Sequence, residues 1–283
     1  MPSAVNGGFD DVAAGAGWAF PAELAAGNWD ALVADYPEVA ALATIQCESC
    51  HGPGSAHYTG EVSEVGPISA GLEYGTCAQC HAEEPYHVYP QQWELSAHAD
   101  RNAQAFWYPI GESRLACVQC HSGLGYIDAA RGVPMEERRS DYQVITCGVC
   151  HDPHSAGNPG QLRVFDQVTL PDGMVVAEAG PAATCITCHN SRLNPVTAVE
   201  GEQFSTPHYS TAGELLNNTG GYTWGETLPN SPHSRIENTC VACHMAPTPG
   251  MDDAGTPDDS SDDTPLPGHN TVGGHTFAMV SPV

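Results

Sequence analysis

Cys117-Val118-Gln119-Cys120-His121 and, 30 residues on, Cys147-Gly148-Val149-Cys150-His151 carry one five-residue pattern, CxxCH. The pattern recurs four more times: at Cys47, Cys50 and His51; at Cys77, Cys80 and His81; at Cys185, Cys188 and His189; and at Cys240, Cys243 and His244. All 12 cysteines are thereby used, two to a motif. A CxxC pair alone also serves zinc ribbons and disulfides, but neither chemistry asks for His directly after the second Cys. With 14 His in 283 residues, six of six by chance is on the order of 10⁻⁸, and CxxCH is the attachment signature of c-type haem. The two thiols add across the porphyrin vinyls, and the adjoining His is held beneath the iron as the proximal ligand. Six haem c groups are expected, with His51, His81, His121, His151, His189 and His244 proximal.

Eight histidines remain: His57, His87, His98, His154, His208, His233, His269 and His275. Six are needed if every iron takes a second imidazole, so supply exceeds demand by two. Local context ranks His57, His98, His154, His208, His233 and His275 as distal candidates, with His87 and His269 in reserve. Met is the competing axial ligand, and Met135, Met174, Met251 and Met279 lack any repeated context. His154 follows its own proximal His151 by three residues across Pro153. It therefore cannot reach the opposite face of the same iron, though it can reach a neighbour's.

Composition excludes much else. Asp plus Glu number 34 against 8 basic residues, all of them Arg, for a formal charge of −26. Nucleic-acid binding needs clustered cations and is not expected. Six haems with ionised propionates would carry the total to about −32 oxidised and −38 reduced. Arg114, Arg192 and Arg235 lie near CxxCH motifs and suit bidentate pairing with propionates. There is no apolar run long enough to span a membrane. Thioether attachment takes place outside the prokaryotic cytoplasm, so a secreted protein is expected, its signal peptide absent from this numbering. The location expected is extracellular or cell-surface, with the periplasm as the alternative.

One haem per roughly 47 residues leaves little room for an ordinary core. The expected fold is mostly irregular, with a few short α-helices and one β-hairpin, wrapped around a chain of six haems. Residues 1–44 form a haem-free segment with short helices broken at Pro37; residues 45–250 form the haem domain; residues 251–268 form an acidic low-complexity linker; and residues 269–283 form a tail bearing His275. Residues 91–106 read as a helix carrying His98. Pro171-Asp172-Gly173 reads as the turn of the hairpin. Motif spacing suggests haem pairs 47/77 and 117/147. In the linker, Asp252, Asp253, Asp258, Asp259, Asp262 and Asp263 form a carboxylate cluster of the kind that suits Ca2+, without EF-hand spacing.

The strings CESCHGPGSAH, CHDPH and SPHS-x₅-CxxCHM resemble those of multihaem c-type cytochromes. That superfamily includes tetrahaem cytochromes of nitrifying bacteria and extracellular filament cytochromes of metal-reducing bacteria. The resemblance covers about residues 45–280 and implies distal roles for His57, His154 and His275. It also implies electron transfer, with redox partners or extracellular acceptors, and self-association head to tail into a conductive filament. Two other readings stand beside it. One is a monomeric periplasmic shuttle. The other is a multihaem reductase or oxidase of the nitrite or hydroxylamine class, with one open haem. The expectation is an electron-transfer protein rather than an enzyme.

Overall fold

The computed structural model describes residues 9–23, 25–43, 45–52, 71–82, 88–201, 211–221, 223–247, 251–252, 261, 264–265 and 273–279. The chain forms two compact units, Met1–Gly71 and Leu72–Val283. His57, His87, His208, His269 and five of the six linker aspartates lie outside the described residues, as does the expected role of each.

In the first unit, helices Phe9–Ala16, Asn28–Asp35 and Pro37–Ala40 meet around Ala13, Leu32, Val39 and Ala40. The first helix stops because Gly17 takes a left-handed φ of 72°, which lets Trp18 N–H reach back to Ala13 O at 2.9 Å. Trp18 then stands edge-on to Phe9, with ring centres 5.6 Å apart. Pro37 opens the third helix, where its missing N–H costs nothing, after a non-helical Tyr36. The first anchor, Cys47–His51, is a single helical turn in this unit.

The second unit is largely irregular, its short elements set by the anchors. Four motifs form helical turns or helix ends, within Tyr74–His81, Leu115–His121, Cys147–Cys150 and Cys240–His244. The fifth lies where helix Ala182–Ile186 ends. Ser122 leaves helical geometry after the third motif, and its Oγ accepts from Gly125 N, starting helix Gly123–Ala130. That helix was not expected from the sequence. It exists because Gly123 and Gly125 carry no Cβ: one on Gly125 would stand 2.5 Å from Val118 O.

Among the described residues, the fully buried apolar side chains of this unit fall into small clusters rather than one core. Trp93, Phe106 and Val144 make one; Tyr126, Ile127 and Val149 a second; Leu170, Ala182 and Ile186 a third. The hairpin forms at Pro171-Asp172-Gly173, with Val168 opposite Val176 and Thr169 opposite Val175. A second antiparallel pair, Met251–Asp252 with Thr264–Pro265, brackets the acidic segment expected to be linker throughout. Residues 91–106 do not make one helix. Tyr89–Glu94 ends at Leu95, turns occupy 95–99, and Gln104–Trp107 follows. His98 therefore sits in a turn, tied through its backbone carbonyl to Ile145 N at 3.3 Å. No helix among the described residues is long and apolar enough to cross a membrane.

Candidate haem centres

Each CxxCH turn presents two thiols and an imidazole from one short segment, so the decisive question is what stands across from the imidazole. His98 faces His189 with ring centres 6.2 Å apart, and His275 faces His151 at 6.3 Å. Two imidazoles on one iron need roughly 2 Å per iron–nitrogen bond and about 1.1 Å more to each ring centre, or about 6.2 Å in all. Both pairs have that separation. Each joins a proximal His to one of the histidines expected to be distal.

Hydrogen bonding favours the ligating form. His151 Nδ1 contacts Gly160 O, His244 Nδ1 lies 3.0 Å from Phe277 O, and His275 Nδ1 lies 3.1 Å from Gly273 O. A carbonyl only accepts, so the proton is on Nδ1 and the Nε2 lone pair is left for a metal, the usual arrangement around a metal-bound His. Burial holds His98 and His275 well down, to about 4, so both are neutral at pH 7. His189 is also lowered by burial.

Several residues that the sequence did not single out build these sites. Gly160, at φ 73°, turns its loop back beneath His151. Arg163 fixes the same motif, donating to Gly148 O from Nε and NH2 and to Asp152 Oδ2 at 2.9 Å. Phe277 touches three centres: its ring lies 4.7 Å from His98 and 5.9 Å from His275, and its carbonyl accepts from His244. Phe277 has φ 54°, a left-handed backbone that a non-glycine residue adopts at a cost. Aromatic spacing gave no signal for it.

The other expected ligands are less enclosed. His154 is 72% exposed, 3.6 Å from Asp152. His233 is exposed at the start of a 3₁₀ turn, with Nδ1 3.2 Å from Ser231 Oγ. Of the arginines, Arg192 lines a cavity of about 400 Å³ with Cys120, Gln119 and Thr187, while Arg114 stacks on the Tyr108 ring at 4.4 Å. Of the linker aspartates, Asp252 pairs with Thr264 through its backbone.

Contacts between anchors do not follow sequence order throughout. In the second unit, the Cys147–Cys150 turn packs on helix Tyr74–His81, Cys120 and Cys188 reach Thr187 O and Gln119 O of each other's motifs, and helix Ala182–Ile186 packs on Cys240–His244. As free thiols, Cys77 is drawn down to about 7 by neighbouring Cys147, and Cys240 to about 6 by neighbouring Cys185. Burial pushes Cys150 up to about 11.

Residues 97–190 match the family model of cytochrome c7 and related cytochrome c. The matched segment begins one residue before His98 and ends one after His189, so the 6.2 Å pair joins its two ends. Within it lie three of the six anchors. Over this third of the chain the protein is similar to the cytochrome c7 family. The crystal structure of outer cell wall cytochrome OcwA is similar at 20% identity, with a TM-score of 0.49, covering 83% of this chain and 50% of that one. The chain thus spans about half that protein's length. No curated protein matches it in sequence.

Proposed function

We propose that the protein carries electrons through six covalently attached haems, each held between two histidines. The observation supporting this most strongly is the pair of imidazole separations, 6.2 Å for His98–His189 and 6.3 Å for His151–His275. A bound haem supplies a one-electron ferric/ferrous couple. The chain's part is to anchor it by Cys, to fill both axial positions with neutral His, and so to exclude substrate from the metal. In this reading His57, His154, His208 and His233 serve the remaining irons, with His87 and His269 in reserve. Bis-His ligation lacks the raising effect of Met, so the potentials are mostly negative. The excess of acidic residues suits cationic partners and an extracellular or periplasmic setting.

Pyridine haemochrome assay and intact mass should give six haems per chain, and the resting ferric protein should be wholly low-spin by electron paramagnetic resonance. A high-spin signal would favour the reductase or oxidase reading. In the filament version, the terminal histidine or one of the reserve pair would ligate a haem of the next subunit. Because His275 lies against His151 of its own chain, that version now depends on the reserve pair alone. Light scattering after size exclusion separates polymer from monomer.

A further inference from the structure

Taking the haem reading above as its basis, we infer that the anchor Cys185/Cys188 is a junction where three other anchors meet, so that the electron path through residues 72–283 branches. The first arm reaches the third motif. Cys188 Sγ lies 3.6 Å from Gln119 O and Cys120 Sγ lies 3.9 Å from Thr187 O, so each motif's cysteine reaches the backbone of the other motif. The second arm reaches the sixth motif. Helices Ala182–Ile186 and Cys240–His244 pack together, and Cys240 rests on the cluster of Leu170, Ala182 and Ile186. The third arm reaches the fourth motif. Cys188 packs on the cluster of Tyr126, Ile127 and Val149, and Val149 lies between the two cysteines of CGVCH.

These contacts matter because a thioether sulfur sits on the edge of its macrocycle. Motifs in contact through their cysteines bring those edges together, and electron tunnelling falls off exponentially with edge separation. The fourth motif continues outward to the second, because the Cys147–Cys150 turn packs on helix Tyr74–His81. A linear chain offers two ends, whereas this arrangement offers three: at the anchors Cys77/Cys80, Cys117/Cys120 and Cys240/Cys243. One protein of this kind can hold an electron reservoir on one arm while passing current between the other two.

The test is a potentiometric titration of the holoprotein followed haem by haem through the haem-methyl signals in nuclear magnetic resonance, with His98→Met beside wild type. His98 faces the junction's proximal His189, and a Met ligand raises the potential. The junction haem then holds its electron while its neighbours titrate, and the added negative charge opposes their reduction. The haems on Cys117/Cys120, Cys147/Cys150 and Cys240/Cys243 should each shift to lower potential, and the one on Cys77/Cys80 should stay. Wild type supplies the same answer without the substitution, since its junction haem should show redox interaction with three partners. Two interacting partners would overturn the junction and restore a linear path. Intact mass of the same samples keeps the outcomes apart: fewer than six haems overturns the haem reading itself, and six haems with two partners overturns the junction alone.

Discussion

Phe277 accepts the Nδ1–H of His244 on its backbone carbonyl at 3.0 Å. The same residue presents its ring to His98 and His275. A segment 33 residues after the last motif thus sets the tautomer of one proximal histidine and the ring positions of two others. It is held by Gly274 N–H to Ala246 O at 3.0 Å and by His275 N–H to Gln92 Oε1 at 2.8 Å.

Phe277→Ala should therefore act on spectra as well as stability. Its ring is half-buried against the Trp93, Phe106 and Val144 cluster. A loss of about 1–3 kcal/mol is expected, below the range for a fully buried Phe. The low-spin g-values of more than one haem should move, whereas Phe277→Leu should restore most of the stability. Denaturant unfolding and electron paramagnetic resonance check this.

His98→Ala and His275→Ala should each convert one haem of six from low-spin to high-spin while leaving the haem count at six. Added imidazole should reverse the change by occupying the vacated space. Absorption and resonance spectra that match wild type would rule out these two histidines as ligands.

Gly125→Ala should destabilise by about 1–3 kcal/mol through overpacking. The new Cβ would lie 2.5 Å from Val118 O and 2.7 Å from Val118 Cβ, forcing helix Gly123–Ala130 away from the third motif. Gly132→Ala offers open space but a left-handed φ of 77°, so its cost is backbone strain alone. Denaturant midpoints of the two variants should differ, with Gly125→Ala the lower.

Asp128 ties the end of that helix to Arg139, accepting from its backbone N–H at 2.8 Å and from its guanidinium NH2 at 2.6 Å. The Arg139 hydrogen bond, foremost, holds the carboxyl below its ordinary 3.8. A depressed folded pKa contributes stability above the unfolded value, near 4, and that contribution is lost as pH falls through the folded value. Asp128→Asn should cost about 1–2 kcal/mol at pH 7, since the Arg139 side chain is half in solvent. The gap between variant and wild type should close toward pH 2, as denaturation at the two pH values would show.

The proximal half of each site was legible in the chain because covalent attachment dictates local spacing: two thiols must span one porphyrin edge, and the next residue then lies under the iron. The hairpin turn at Pro171-Asp172-Gly173 was legible for a similar reason, since a turn is decided by adjacent residues. The distal half is different in kind. His98 meets His189 and His275 meets His151 across 91 and 124 residues, and no local rule carries that distance. His98 also lies in a turn where the sequence read as helix, and both Trp93 Nε1, at 2.7 Å from Ile145 O, and the His98 carbonyl bond to distant Ile145.

The sequence by itself determined how many CxxCH motifs there are, which cysteines and histidines compose them, and a charge of −26. Tertiary structure alone decided which anchors touch. Cys188 meets Gln119, Cys120 meets Thr187 and Cys240 meets the 182–186 helix across separations that no local rule covers. Sequence order is a property of the backbone, whereas the order of the redox centres follows from which side chains pack, and packing is blind to separation along the chain.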